Sequence, residues 1–286
     1  QRLLLESGYE TFRSGGLSRR DVQGSDTGIF LGITNADYAA LLSTSASVYA
    51  ATGGTISIAS GRISFALGLQ GPCESIDTAC SSAVAALHGA AGCIGAGDCD
   101  AALTTAVTLY LAPHVSVSYA RAGMLSADGR CKTFDASANG YVRGEGIGGL
   151  LVVRERKPDA RTAIAIVLSS NALRQDGMSA SLTAPNGSAQ ATLLALAVAR
   201  ADGAQHHGVE SHGTGTPLGD PTEVRALSQA LPAEHVALQG VKGNMGHLEP
   251  AAGMVGLMAA ASTLLEEQMA PNPQLRKLYP HLASSV

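Results

Sequence analysis

The run Ser75-Ile76-Asp77-Thr78-Ala79-Cys80-Ser81-Ser82-Ala83-Val84-Ala85-Ala86-Leu87-His88 constrains this chain more than any other stretch. A short apolar segment, predicted as a buried strand near residues 73–77, runs into a helix made almost wholly of small residues. Small side chains permit a helix to pack closely on a sheet, so the run predicts α/β packing with Cys80 at the strand–helix junction. The unsatisfied N–H groups and positive dipole end of such a helix favour thiolate over thiol. A cysteine at a helix start is also compatible with an inert buried thiol. The choice between these readings rests on the rest of the chain.

Strand and helix alternate on both sides of this run. Residues 3–14 read as a helix, 28–33 as a strand and 54–67 as a small-residue helix. The Cys80 helix runs to about Ile94, where Gly95 and Gly97 stop it. Ala101 to Leu109 and Ile147 to Val153 are β-branched or apolar and read as strands. The charged, proline-bearing Arg154-Glu155-Arg156-Lys157-Pro158-Asp159 is the best boundary, dividing the chain into residues 1–157 and 158–286. Beyond it, Thr162 to Ser169 reads as a strand and Ser188 to Ala201 as a helix. Strand, loop and helix then recur around His212 and His247. The expected class is α/β, with parallel or mixed sheets covered by helices on both faces. Pro250 to Leu265 is apolar but short and glycine-interrupted, and is read as a buried helix with no membrane span.

Composition removes several classes of function. The formal charge is only −4 and no basic block occurs, so a nucleic-acid partner has no electrostatic footprint. Five cysteines without a C-x-x-C pair argue against a disulfide framework. Cys73, Cys93, Cys99 and Cys131 are then small core or surface residues, and the expected setting is reducing, intracellular and cytoplasmic. Gly144-Glu145-Gly146-Ile147-Gly148-Gly149 fits G-x-G-x-x-G, but it precedes a strand where a dinucleotide site needs it to follow one. No metal-ligand cluster or P-loop is read. Asn186-Gly187-Ser188 matches a glycosylation acceptor that carries little meaning in an intracellular chain.

Two motifs bear on Cys80. Glu210-Ser211-His212-Gly213-Thr214-Gly215-Thr216-Pro217-Leu218-Gly219-Asp220-Pro221 and Lys242-Gly243-Asn244-Met245-Gly246-His247-Leu248-Glu249-Pro250 each place a histidine among glycines after a short apolar stretch. Glycine lets the main chain turn sharply and approach a ligand, so both imidazoles are expected at strand ends. A nucleophile with two proton-handling or anion-stabilising groups is the equipment of acyl transfer. His88, His114, His206 and His207 have no such motif and are expected in ordinary surface or core roles.

The segments DTACSS, HGTGTPLGDP and KGNMGHLEPAAG, in this order and spacing, resemble the β-ketoacyl synthase (ketosynthase) domains of polyketide and type I fatty acid synthases. GRIS at 61–64, LGLQGP at 67–72, LSADGRCKTFD at 125–135 and YVRGEG at 141–146 extend the resemblance over almost the whole chain. It implies a thiolase-like, layered α-β-α-β-α fold with two similar halves, the first carrying the nucleophilic cysteine and the second both histidines. It also implies acyl transfer to Cys80, then decarboxylative condensation with a malonyl-type thioester on an acyl carrier protein. The phosphopantetheine arm would come on that carrier, with no cofactor bound directly and no metal. A homodimer within a multidomain synthase is the implied assembly. By comparison with the family, an opening strand and a glycine-rich loop after His247 fall outside the sequence, so a fragment with an incomplete C-terminal half is expected.

Carried over residue by residue, the resemblance makes Cys80 the acyl-carrying nucleophile and His212 and His247 the enolate-stabilising imidazoles, the division of roles between them left open. Lys242 matches the active-site lysine, Glu223 is its expected buried partner, and Thr214 and Thr216 match threonines that contact the pantetheine arm. Those threonines also suit turn chemistry, and Asn244 suits loop shaping. Ser211 and Gly243 depart from the family's usual residues without removing a reacting group. A thiolase-type acyltransferase and a non-elongating transacylase or scaffold domain are the alternatives. The paired histidines with Lys242 fit the decarboxylating synthase better.

Overall fold

Residues 28–32, Gly-Ile-Phe-Leu-Gly, are buried at every position, as a strand covered on both faces must be. They form β1 (Gly28–Gly32) in a computed structural model that describes residues 1–34, 37–42, 48–154, 175–181, 183–201, 207–231, 236–280 and 282. The chain divides into two compact units. One comprises Gln1–Val115, Glu145–Asp159 and Leu248–Val255; the other comprises Ser116–Gly144, Ala160–His247 and Gly256–Val286.

In the first unit, α1 (Arg2–Ser14), α2 (Arg19–Val22), α3 (Asp37–Leu42), α4 (Ala50–Gly54), α5 (Ser57–Leu67) and α6 (Ser82–Ala96) accompany a four-stranded sheet. Its order is β2 (Cys73–Ile76), β1, β3 (Ala101–Thr108), β4 (Gly146–Val153). β1 is parallel to both neighbours, with Leu31 opposite Ser75 and Thr105, and β4 runs antiparallel to β3. Successive side chains of β1 serve different cores because the strand period is two. Ile29 and Leu31 join Leu4, Phe12, Ile63 and Leu103, whereas Phe30 joins Ala86, Ala90, Ile94 and Ala102. Each of the leucine, isoleucine and phenylalanine side chains contributes about 1.5–3 kcal/mol when fully buried.

The small residues of α6 act as the sequence implied. A Cβ on Gly32 would stand 2.8 Å from the Ala83 main-chain nitrogen, so strand and helix approach to backbone contact. Among the described residues, Ala79–Ala96 alone is long and apolar enough to cross a bilayer. Here one face, with Ala83, Ala86 and Ala90, is wholly buried against the sheet, while 39% of the stretch as a whole is buried. Two boundaries differ from expectation. The predicted helix over 54–67 is interrupted, because Thr55 adopts an extended conformation between α4 and α5. Gly95 stays within α6, which ends at Gly97 with φ 88°. Glycine weakens a helix interior by about 1 kcal/mol without breaking it, and only the left-handed residue terminates it.

The second unit holds α7 (His114–Arg121, from Ser116 onward), α8 (Gly187–Arg200), β5 (Gly208–Glu210), α9 (Gly219–Ala230), β6 (Ala237–Gln239), α10 (Lys242–Met245) and most of α11 (Ala252–Glu266). β5 and β6 are parallel, with Val209 opposite Leu238. Asn186 caps α8 by accepting the Ala189 N–H at 3.2 Å, a structural role for the asparagine of the Asn-Gly-Ser triplet. Phe134, Val224 and Leu282 are packed with Leu238, Leu275 and Tyr279. α11 is less buried than expected: Ala252 and Met254 are covered, but Leu264 and Leu265 are exposed. A helix that is apolar all round has more apolar surface than one packing face covers. The strand expected over 162–169, most of the 154–159 boundary and His206 lie outside the described residues.

Candidate active site

In the first unit, the residues around Cys80 form a closed hydrogen-bond turn. Ala79 N–H donates to Asp77 Oδ1 at 3.0 Å, and Thr78 N–H donates to Ser82 Oγ at 2.9 Å. Ser82 Oγ in turn donates to the Ala79 carbonyl at 2.6 Å, and Ser81 Oγ to that of Thr78 at 2.8 Å. The turn holds Ala79 at φ 54°, in the left-handed region that costs an L-residue roughly 1–2 kcal/mol. Cys80 therefore sits, half-buried, in one 3-10 turn (Ala79–Ser81) leading into α6. Burial pushes the thiols of Cys93, Cys99 and Cys131 up, which keeps them protonated.

In the second unit, His212 follows β5 and is held by its main chain. Glu223 Oε1 accepts the His212 N–H at 2.5 Å and Oε2 accepts the Gly213 N–H at 2.9 Å. Three residues earlier on the same face of α9, Asp220 Oδ1 accepts from Gly215 N–H at 3.1 Å and Thr216 N–H at 3.4 Å. Its Oδ2 accepts from Phe134 N–H at 2.8 Å. Two carboxylates in the first turns of one helix, where the dipole favours them, thus clamp the whole His212–Thr216 loop. The loop needs its glycines: Gly213 and Gly215 have φ 46° and 75°, and a Cβ on Gly215 would meet the Lys132 nitrogen at 2.6 Å.

His247 is positioned from another direction. Gly246, at φ 79°, turns the chain out of α10. The His247 N–H donates to the Val142 carbonyl at 2.7 Å, and the His247 carbonyl accepts from Gly144 N–H at 2.9 Å. The ring meets Tyr141 edge-to-face at 5.0 Å and the ring of His212 at 5.4 Å, the two imidazole planes lying 87° apart. Its Nδ1 is buried and makes no hydrogen bond among the described residues.

Both imidazoles are kept neutral. Burial, reinforced by the His212, Lys242 and Arg143 groups, pushes His247 down to about 2. Burial and then Lys242 push His212 to about 3. His212 is an exposed residue, where water can solvate a cation, so the neutral form is the more strongly enforced at His247, which is 4% exposed.

Lys242, the first residue of α10, is buried. Its charge draws down the carboxyl groups of Glu210, Asp220 and Glu223, which burial pushes up. A buried ammonium among carboxylates is the arrangement that limits the cost of burying it. Glu223, expected as the buried partner of Lys242, is half-buried and lies in the field of that lysine. In addition it holds the His212 main chain, a role the sequence reading did not assign. Thr214 is buried and its hydroxyl lies 3.2 Å from that of Thr216, which accepts the Gly219 N–H at the start of α9.

The second unit therefore brings together His212, His247, Lys242, Glu223, Thr214 and Thr216, and the first carries Cys80. Asp220, Tyr141 and Arg143 were missed as contributors, although each stands inside a family motif. The usable signal was an aspartate opening a helix directly after a glycine-rich loop. Arg143 donates to Ser116 Oγ and lies over the Tyr119 ring at 5.3 Å. A cavity of about 560 Å³ in the second unit, lined by Gln239, Val241, Met245, Thr263 and Met269, includes none of the expected site residues.

Residues 1–158 match the family model for "Beta-ketoacyl synthase, N-terminal domain", and residues 165–276 match that for "Beta-ketoacyl synthase, C-terminal domain". The chain belongs to the beta-ketoacyl synthase family. Among its relatives, the mycoketide-CoA synthase of Mycobacterium tuberculosis is 40% identical over 98% of this chain, which spans 7% of that protein. The spectinabilin polyketide synthase system protein NorA' of Streptomyces orinoci is 44% identical over 92% of the chain, which spans 8% of it. The solved ketosynthase from module 6 of the bacillaene synthase of Bacillus subtilis superposes with a TM-score of 0.90 at 34% identity. That likeness covers 98% of this chain and 50% of the other. The fold is accordingly α/β and thiolase-like, as expected.

Proposed function

We propose that this beta-ketoacyl synthase family chain is an acyltransferase of polyketide chain elongation. Cys80 takes an acyl group from a phosphopantetheine thioester, forming an S-acyl bond and releasing the carrier thiol. A malonyl-type thioester on an acyl carrier protein then loses carbon dioxide, and the electron pair of the broken C–C bond forms an enolate. The enolate carbon attacks the Cys80 thioester, the Cys80 thiolate leaves, and a β-ketoacyl chain remains on the carrier.

The carrying observation is the His212–His247 pair: two neutral imidazoles edge-to-face at 5.4 Å. A neutral imidazole can donate an N–H to the enolate oxygen without adding a second proton equilibrium. Removing one donor of this kind typically costs about 100–1,000-fold in rate. Lys242 helps keep both rings neutral, Glu223 positions the His212 loop, and the Thr214 and Thr216 hydroxyls are assigned to the pantetheine arm. Phosphopantetheine is thus a substrate arm.

Polyketide synthase relatives support an acyl carrier protein and neighbouring synthase domains as partners, and we extend this to a homodimer in the cytoplasm. Division into halves at 157/158 is supported by the family models, which match on either side of 159–164. The test supplies an acyl thioester and malonyl-carrier protein. Carbon–carbon bond formation must disappear in Cys80→Ala, and carbon dioxide release must fall in His212→Ala and His247→Ala. Condensation that survives Cys80→Ala would sink the mechanism. Acyl loading without elongation in the wild type would favour a transacylase.

A further inference from the structure

Cys131 is free and 1% exposed, in the segment Gly129-Arg130-Cys131-Lys132-Thr133-Phe134. Its sulfur makes two hydrogen bonds to Val142, and a backbone hydrogen bond from His247 also acts on it. The Val142 N–H donates to Sγ at 3.3 Å, and the thiol donates to the Val142 carbonyl at 3.7 Å. That same carbonyl accepts the main-chain N–H of His247 at 2.7 Å. One continuous hydrogen-bond path therefore leads from the Cys131 thiol through Val142 to the backbone that carries the His247 ring. On the far side, Gly144 N–H closes on the His247 carbonyl, and Tyr141 abuts the ring.

We propose that Cys131 is a positioning residue for His247, its thiol setting the placement of Val142 and hence of the imidazole. The proposal rests on His247 acting in decarboxylation. Cys131 itself touches no reacting atom. Sulfur suits the role because its long, weak hydrogen bonds span a gap that a hydroxyl bridges only by drawing Val142 inward. An aliphatic side chain of similar volume would leave the Val142 N–H without this partner. Burial keeps the thiol protonated, so it remains a donor to the carbonyl that His247 shares.

The test uses the full chain with Cys131→Val, which keeps volume without hydrogen bonding, and Cys131→Ser, which keeps a donor and an acceptor. Three quantities are read: carbon dioxide release from malonyl-carrier protein, acylation of Cys80 by an acyl thioester, and the ring-nitrogen resonances of His247 in protein labelled with ¹⁵N-histidine. A small misplacement of a catalytic group can cost up to about 100-fold, so Cys131→Val is expected to lower the kcat for carbon dioxide release by about 10-fold. KM and Cys80 acylation should stay within about twofold, the His247 resonances should move, and Cys131→Ser should recover most of the rate. A folded Cys131→Val with wild-type release and unmoved His247 resonances overturns the proposal. Equal losses in the serine and valine variants do the same, because they indicate packing alone. Should Cys131→Val not fold, Cys131→Ala carries the identical comparison. A wild type that releases no carbon dioxide would refute the decarboxylating function, while the His247 resonances still decide whether Cys131 positions the ring.

Discussion

Glu223 holds His212 by its backbone: the two carboxylate oxygens accept the N–H groups of His212 and Gly213 at 2.5 and 2.9 Å. A carboxylate, with two acceptor oxygens, fits both donors at once. Glu223→Gln keeps one acceptor and turns an amide NH₂ toward the other N–H. The expected result is a loss of about 1–3 kcal/mol of stability, with slower carbon dioxide release. Urea denaturation and the decarboxylation assay check this. A Gln variant that matches the wild type in both would remove Glu223 from the site.

Acidification provides a second prediction. Unfolded histidine titrates near about 6.5, whereas burial holds His212 at about 3 and His247 at about 2 in the fold. The unfolded chain therefore binds protons that the folded chain refuses. The stabilising contribution of the neutral rings is complete above the unfolded value and is lost progressively as pH falls below it. Glu210, Asp220 and Glu223 are raised and act with the opposite sign, since the fold protonates them first. His247→Gln isolates the imidazole: between about pH 7.5 and about pH 5, the wild type should lose more stability than the variant. Equal slopes of denaturation midpoint against pH would contradict a buried neutral His247.

The loop before α9 provides a third. Gly215→Ala places a Cβ at φ 75° and against the Lys132 nitrogen. The conformational term alone is about 1–2 kcal/mol, and the collision adds to it. The comparison is Gly92→Ala in α6, where a Cβ meets nothing within 4 Å. That change should stabilise by up to about 1 kcal/mol. Thermal melting of the two variants is expected to shift in opposite directions.

Strain beside the thiol makes a fourth. Ala79→Gly removes the Cβ penalty at φ 54° but enlarges the freedom of the unfolded chain. Net stability should change by less than about 1 kcal/mol, in the stabilising direction. Cys80 acylation should slow, because a looser turn presents the sulfur less consistently. Faster acylation would show that the strained turn restrains the thiol.

Much of this was legible because its causes are local. The helix after Cys80 follows from a run of small residues. The strand before it, Cys73–Ile76, has Cys73 and Glu74 exposed and is not the buried strand expected, because it pairs on one side only, with β1. Gly32 and Ala83 show why that composition was needed: backbone meets backbone there. Local signals failed where a single residue's conformation depends on its surroundings. Thr55 breaks a helix that its neighbours would continue, Gly95 is carried through α6, and α11 leaves its last apolar residues exposed. Glu223 stood in the sequence as a partner for Lys242, yet its hydrogen bonds to the His212 loop required knowing how α9 sits beneath that loop.

By itself the sequence determined the α/β class, the helix-start position of Cys80, and the presence of His212, His247 and Lys242 in glycine-rich turns. Periodicity, side-chain size and glycine content act over a few residues and survive without a fold. Only the tertiary structure decided that His212 and His247 face each other at 87°, that both are held neutral, and that Asp220, Glu223 and Cys131 hold the segments around them. Ring geometry and desolvation depend on atoms contributed by residues far apart in the chain, and those come together only when the fold is complete.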